Sequence, residues 1–255
     1  MANSKTLQRQ EMILQALRQN GSVSIRELTD NLNVSSWTIR RALLELEKMH
    51  QVRRTHGRVE IMEAGAAQLE FNAQQNSDAK GAIGRMTARL LKSDQFIALG
   101  AGTTTTQVAL ALRGRTKLSI MTNALNIALE LSREPGIRVT CAGGEVHGDY
   151  FTLTGPLTER TLSTHYYDVA VVGVSGIDIS AGLTVNSHLN SVIIDVMLKH
   201  ANKKIVVADS SKFGVISYAY LAPLGSIDVI VTERMPDRAF QEHLRAVSTE
   251  LIIAP

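Results

Sequence analysis

A chain of 255 residues with 44% hydrophobic content has room for one large or two modest packed domains, and this is not the composition of a disordered protein. A lone cysteine, Cys141, excludes an internal disulfide; the N-terminus lacks a secretory pattern, no apolar run reaches the ~20 residues of a membrane span, and the seven histidines lack metal-ligand spacing. Residues 1–60 hold ten Lys/Arg against six Asp/Glu, net +4, whereas the remainder holds 17 against 18, net −1, so a polyanion partner is expected for the N-terminal part alone. The expectation is a cytoplasmic protein with no membrane association, metal, cofactor or catalytic residue.

Leu7, Met12, Ile13, Leu14 and Leu17 predict an amphipathic first helix that closes at Asn20-Gly21, where glycine supplies a left-handed cap. Ser24 to Glu27 has the S-x-x-E spacing of a capping box and opens a short second helix, with Asn31–Val34 as the turn. Ser35 suits the N-cap of a third helix running to about Met49, in which Ile39, Leu43 and Leu46 form the inward stripe. Ser36, Trp37, Thr38, Arg40 and Arg41 project elsewhere around its start. Trp37 is either a staple across the helix start or an exposed contact for a thymine methyl or deoxyribose. Val52–Ile61 reads as a basic hairpin turning at His56-Gly57, either a phosphate-gripping wing or a solvated loop. This order is a winged helix-turn-helix over residues 1–62. Its candidate contacts to double-stranded DNA are Ser35, Ser36, Trp37, Thr38, Arg40, Arg41, Arg53, Arg54, His56 and Arg58.

Residues 63–76 are small and polar and read as a linker. From 77 to 255 helices alternate with short apolar strands: a helix from about Ser77 to Lys92, then strands at Phe96–Leu99, Leu118–Thr122, Arg138–Ala142, Asp168–Gly173, Lys204–Asp209, Asp228–Thr232 and Leu251–Ile253. Continuous Val/Ile runs between helices predict a mostly parallel sheet covered on both faces, an α/β domain. Cys141 lies in one of these runs and reads as a core residue. Such sheets bind ligands beyond the carboxyl ends of their strands, so the loops after Leu99, Thr122, Ala142, Gly173 and Ala208 are the ones to search.

Gly100, Gly102, Thr103, Thr104 and Thr105 follow a strand and open a helix. They read either as an anion cradle, with glycines admitting the ligand to backbone N–H groups, or as a tight turn with a threonine cap. No Gly-Lys-Ser/Thr follows, which argues against nucleoside triphosphate chemistry. Asp209, Ser210 and Lys212 could take sugar hydroxyls and a phosphate, or form a capped turn with Lys212 in solvent. Thr122, Asn123, Gly143 and Gly144 are caps or turns that could line the same pocket.

With these pieces in place, the chain resembles the DeoR family of bacterial transcriptional repressors over nearly its full length. The N-terminal match is Val34-Ser35, Thr38-Ile39-Arg40-Arg41, Leu43, Leu46-Glu47, Arg53-Arg54 and His56-Gly57. The C-terminal match is Gly102-Thr103-Thr104, Thr122-Asn123, Gly143-Gly144, Gly155-Pro156, Gly182-Leu183-Thr184 and Asp209 through Gly214. The resemblance implies a C-terminal domain like the ribose-5-phosphate isomerase and glucosamine-6-phosphate deaminase group, a phosphorylated metabolite as effector, release of an operator on binding, and a homodimer or tetramer. The sequence departs from the family at Ala42, where an acid is usual, at Gly100, where Asp is usual, and at Asn190, Ser191 and Ile194, where Glu-Ala and a Lys are usual. Two other readings are a sugar-phosphate isomerase-like enzyme with a DNA-binding appendage and a DNA-binding protein whose C-terminal domain only oligomerises. The missing acid at position 100 weighs against the enzyme.

Overall fold

The computed structural model describes residues 10, 12–17, 20–32, 34–48, 52–55, 57–61, 72–147 and 151–255, without the side chains of residues 45, 48, 53, 55, 61 and 147. The chain divides into two units, Met1–Gln68 and Leu69–Pro255.

In the first unit, helix α1 is described over 12–17 and presents Ile13, Leu14 and Leu17 to the core. Gly21, at φ +69°, returns its N–H to the Leu17 carbonyl at 2.8 Å, as a C-terminal glycine cap does. Strand β1 (Ser22–Ser24) leads into helix α2 (Ile25–Leu32) through the capping box: Ser24 N–H donates to Glu27 Oε2 at 2.6 Å and Glu27 N–H to Ser24 Oγ at 3.2 Å. Helix α3 (Ser36–Lys48) starts where Ser35 Oγ accepts the Thr38 N–H at 3.3 Å. Strands β2 (Val52–Thr55) and β3 (Arg58–Ile61) form the wing, and β1 pairs with β3 to complete a sheet of order β1-β3-β2. The sequence reading lacked β1, because three residues between a cap and a capping box leave no alternation to detect. Ile39, Leu43 and Leu46 are all 0% exposed, and such burial contributes roughly 1.5–3 kcal/mol per side chain. Ala42 belongs to the same core.

The second unit is built on seven strands: β4 (Phe96–Leu99), β5 (Leu118–Thr122), β6 (Ile137–Cys141), β9 (Tyr167–Gly173), β12 (Ala201–Val207), β14 (Val229–Thr232) and β15 (Glu250–Ile253). Their order is β15-β14-β12-β9-β4-β5-β6 and every neighbouring pair is parallel. Helices α4 (Ser77–Leu90), α5 (Thr103–Ala111) and α6 (Leu125–Leu131) cover one face, packing on Ile97, Leu99, Val169 and Val171. Helices α7 (Pro156–Ser163), α8 (His188–Lys199) and α9 (Arg238–Ala246) cover the other, on Ala98, Ala170 and Val172. The side-chain period of two along each strand produces this division. A Cβ at Gly84 of α4 would lie 2.5 Å from the Gln107 carbonyl oxygen, so α4 and α5 meet almost backbone to backbone there.

Short antiparallel pieces were not read from the sequence: β7 (Glu145–His147) with β8 (Thr152–Thr154), and a sheet of β10 (Gly176–Asp178), β11 (Gly182–Val185) and β13 (Ala219–Ala222). Strands of three or four residues give too few alternations to read. Cys141 is exposed rather than buried, because β6 is an edge strand of the large sheet. Residues 72–76, read above as the end of the linker, belong to the second unit: Asn72 and Asn76 bond to groups of that unit. Among the described residues no helix is long and apolar enough to cross a membrane.

Candidate functional site

The third helix turns two different faces outward and inward. Trp37 and Arg41 lie opposite the Ile39–Leu43–Leu46 stripe. Trp37 is 66% exposed, which answers the staple alternative: the indole does not pack on the protein. Instead the Arg41 guanidinium carbon sits 5.6 Å from the ring centroid. Ser36 and Arg40 are exposed beside them. Ser35 and Thr38 share a hydrogen bond of 2.8 Å in addition to the cap, so both hydroxyls serve the helix start.

The wing arginines turn to the protein. Arg54 Nε lies 3.0 Å from Glu47 Oε1, and its Nη2 donates to the Arg40 carbonyl at 3.4 Å. Arg58 donates to Ser22 Oγ at 2.8 Å and to the Ser22 carbonyl at 2.5 Å, with Glu27 3.9 Å away. These contacts tie β3 to β1 and to the capping box. Ser24's two hydrogen bonds, helped by Arg58, hold the Glu27 carboxyl below the usual range. His56 and the Arg53 side chain lie outside the described residues.

In the second unit the expected loops do gather at the carboxyl ends of the parallel strands, but they divide by role. Gly102 takes φ +145° at the start of α5, and among the described residues no side-chain hydrogen bond caps that helix start. Thr105 and Thr106 both return their hydroxyls to the Gly102 carbonyl, at 2.9 and 2.7 Å, and Thr104 and Thr105 are buried. Of the expected threonine donors, Thr103 is therefore the one left at the rim. Asn123 is buried and used at both ends: its Oδ1 accepts the Ala101 N–H at 3.2 Å and its Nδ2 donates to the Leu153 carbonyl at 3.2 Å. Thr122 Oγ1 accepts the Ala124 N–H at 3.1 Å. Asn123 thus ties the glycine loop to Leu153, while Thr122 caps its own turn.

Gly143 and Gly144 stand apart. The Gly143 carbonyl accepts from Thr158 Oγ1 at 2.6 Å, and a Cβ at Gly144 would meet that same hydroxyl at 1.9 Å. They seat α7 on the end of β6, four strands from β12 in the sheet, or roughly 19 Å at ~4.8 Å per strand. Gly100 is only two strands from β12, with β9 between, or about 10 Å. Gly173 ends β9 between them, and the nearest neighbours of a Cβ there would be Thr105, Val207 and Ala101, at 3.9–4.0 Å.

Asp209 is the centre of the other half. It is 1% exposed. Its Oδ1 accepts from Asn76 Nδ2 at 3.0 Å, from Ser211 N–H at 3.1 Å and from the Ser211 hydroxyl. Its Oδ2 is buried with no hydrogen-bond partner among the described residues, a costly state for a carboxylate oxygen. Ser210 is not free: its N–H (2.9 Å) and hydroxyl (2.5 Å) both go to Glu233, the first residue after β14. The lysine expected here, Lys212, is joined by one the sequence reading missed. Lys80 of α4 is 5% exposed and donates to the Asn72 carbonyl. Burial pushes its ammonium pKa below the ordinary 10.5; Asp209 opposes that and Lys212 adds to it. Two ammonium groups, the buried Lys80 and the half-buried Lys212, thus stand beside two carboxylates, Asp209 and Glu233, of which Glu233 is engaged by Ser210.

Gly100, where the family resemblance implies an acid, has an apolar wall: a Cβ there would lie 3.4 Å from Val172 Cγ1 and 3.6 Å from Met197 Sδ. Ile194 is buried in the adjoining core, and Ser191 returns its hydroxyl to the His188 carbonyl at 2.8 Å. No group of three or more His, Cys, Asp or Glu side chains able to hold a metal ion is found among the described residues. An open depression of about 540 Å³ lies at the opposite, amino-terminal ends of β4, β5 and β6, lined by Asp94, Lys117 and Arg138 among others. It is remote from all these loops.

Comparison with known proteins agrees with both halves. Residues 9–64 match the DeoR-like helix-turn-helix domain and residues 75–234 the DeoR C-terminal sensor domain. The regulator GolR of Listeria innocua is 30% identical over 249 residues, covering 97% of this chain and 98% of its own. The putative aga operon transcriptional repressor of Escherichia coli O157:H7 is 30% identical, covering 97% and 94%. The glycerol-3-phosphate regulon repressor of Escherichia coli K12 is 28% identical, covering 91% and 92%. Among solved structures, ribose-5-phosphate isomerase A of Methanocaldococcus jannaschii overlays on 54% of this chain and 55% of its own, at 16% identity and a TM-score of 0.41. A reading helix with an uncommitted basic face and a separate sensor unit, matched end to end by regulators built the same way, make this chain a member of the DeoR family of DNA-binding transcriptional regulators.

Proposed function

We propose that the protein is a cytoplasmic repressor of carbohydrate-metabolism genes, released from its operator by a small phosphorylated sugar or related metabolite. The observation that carries this reading is the unpartnered, buried Oδ2 of Asp209 beside the Lys80 and Lys212 ammonium groups. A buried carboxylate oxygen without a donor suits a ligand hydroxyl, and the two ammonium groups suit a phosphate. The uncapped start of α5, about two strands away, supplies further N–H donors. Two relatives named for an aga operon and a glycerol-3-phosphate regulon support a ligand of this class.

Within the site, Gly102 and Thr103 with the Lys80 and Lys212 ammonium groups form the anion side, Gly100 and the buried Thr104 lie behind them, and Asp209 forms the polyol side. Thr105, Thr122, Asn123 and Ser210 position these loops, while Gly143 and Gly144 shape a neighbouring turn. The apolar wall around Gly100 supports a ligand whose far end is read differently from the family's usual one. It also supports a non-enzymatic role, since proton abstraction needs a positioned free base. Asp209 Oδ1 is held by three donors and Glu233 is engaged by Ser210, so Asp209 Oδ2 is the carboxylate oxygen on which the turnover assay below bears.

On DNA, Ser36, Trp37, Arg40 and Arg41 face the major groove, Ser35 and Thr38 fix the helix start, and Arg54 and Arg58 brace the wing that carries Arg53 and His56. The full-length chain acts as a homodimer or tetramer on a palindromic site. The deciding experiment is a thermal-shift screen of pentose, hexose and triose phosphates, followed by operator release with each hit. Raised melting temperature plus release supports the reading. No shift across the panel leaves an oligomerisation-only sensor unit, and turnover of any sugar phosphate makes the protein an enzyme.

A further inference from the structure

We propose that Trp37 and Arg41 act as one unit that reads a thymine next to a guanine in each operator half-site. The inference rests on the DNA-reading role proposed for α3. Residues four apart on a helix are neighbours on its surface, and here the Arg41 guanidinium lies 5.6 Å from the Trp37 ring centroid. The pair stands opposite the fully buried stripe of Ile39, Leu43 and Leu46, at the pole of the helix that points away from its own core. Leu44, one turn further along the same pole, is 51% exposed. Along this pole, then, the first three turns of α3 present apolar surface inside a basic segment.

The major groove offers one apolar group of matching kind, the thymine methyl, and one base whose O6 and N7 match a guanidinium fork, guanine. The indole, 66% exposed, has surface left over for such a methyl. The cation–π approach of 5.6 Å restricts where the guanidinium can sit, which lowers the ordering cost of a bidentate contact. Neither contact alone uses the pair; adjacent bases of the two kinds do. Charge complementarity favours DNA as the occupant, since residues 1–60 carry net +4.

The test uses the full-length protein and a duplex that it selects from a random-sequence library. Each thymine in turn is replaced by deoxyuridine and each guanine by 7-deazaguanine, and affinities are measured by fluorescence anisotropy. For the wild type, one deoxyuridine costs about fourfold, as loss of one buried methyl does, and the adjacent 7-deazaguanine about tenfold. Trp37→Ala loses the sensitivity to that deoxyuridine, and Arg41→Lys the sensitivity to that 7-deazaguanine. Both variants should melt with the wild type, because the two side chains are exposed. Emission of Trp37, the sole tryptophan, should be quenched by the selected duplex. Equal binding of every deoxyuridine duplex, or unchanged sensitivity in Trp37→Ala, overturns the proposal while leaving the regulator role standing. So does a Trp37→Ala protein that changes oligomeric state but not base sensitivity, which makes the indole a protein contact. Failure to select any duplex overturns both.

Discussion

Asn76 donates its side-chain amide to Asp209 across 133 residues of chain, at 3.0 Å, and in doing so orients the carboxylate so that one oxygen is satisfied and the other is not. Asn76 sits at φ +52°, a left-handed conformation that asparagine tolerates better than most residues, immediately before α4. Replacing Asp209 with Asn removes a carboxyl group from the ligand site while keeping its shape. The effector concentration for operator release should rise roughly tenfold to a hundredfold, the worth of a hydrogen bond to a charged group, with affinity for DNA unchanged. Titrating release by anisotropy checks this; an unaltered midpoint would remove Asp209 from the ligand site.

Lys80 links ligand binding to protons. Its ammonium pKa is lowered by burial, and a bound phosphate would raise it again. Binding at alkaline pH should therefore take up protons, visible as a heat that depends on the buffer's ionisation enthalpy, and Lys80→Met should abolish the uptake. In the free protein the unfolded chain binds the extra proton between the lowered folded value and 10.5, so stability rises with pH across that window. The wild type should gain melting temperature on Lys80→Met as pH climbs through it.

Gly84→Ala tests the closeness of α4 and α5. The new methyl would lie 2.5 Å from the Gln107 carbonyl oxygen and 2.6 Å from its carbon, both backbone atoms. The helices must part, at a cost on the order of 1–3 kcal/mol. Because α5 begins at the glycine loop and α4 carries Lys80, effector affinity should fall as well. Thermal melting with and without ligand separates the two effects.

Glu27 gives the reading head its own acid limit. Its folded pKa lies below 4.5, so its stabilising effect is present above that value and is lost as pH falls through the folded one. Glu27→Ala should melt below the wild type at neutral pH, and the gap should narrow under acid. A gap independent of pH would mean that the capping carboxylate contributes by packing alone.

The strands of the large sheet were legible because buried parallel strands are continuous Val/Ile runs, and the reading helix because Ile39, Leu43 and Leu46 keep strict helical spacing. The loops after Leu99 and Ala208 followed from the rule that ligands bind beyond strand carboxyl ends. Lys80 and Glu233 were not found, since their place at the site depends on packing between distant segments. A faint signal existed for Lys80: it shares a helix face with Ile83 and Thr87, both 0% exposed, where a solvated lysine would not sit. Thr122, Asn123 and Ser210 each carry two readings in the sequence, cap or ligand contact, because side-chain chemistry alone does not reveal which hydrogen bonds the fold itself will claim. Cys141 was misplaced because an apolar run looks the same on an edge strand as in the middle of a sheet.

The outward placement of Cys141 has a practical use. The chain carries one thiol, on the sensor unit, and one indole, on the reading head. Crowding raises the thiol pKa, so mildly alkaline maleimide coupling is the suitable labelling condition. A coumarin attached there turns the native molecule into an energy-transfer ruler, reporting how the spacing of its two halves responds to an added metabolite without a single engineered residue.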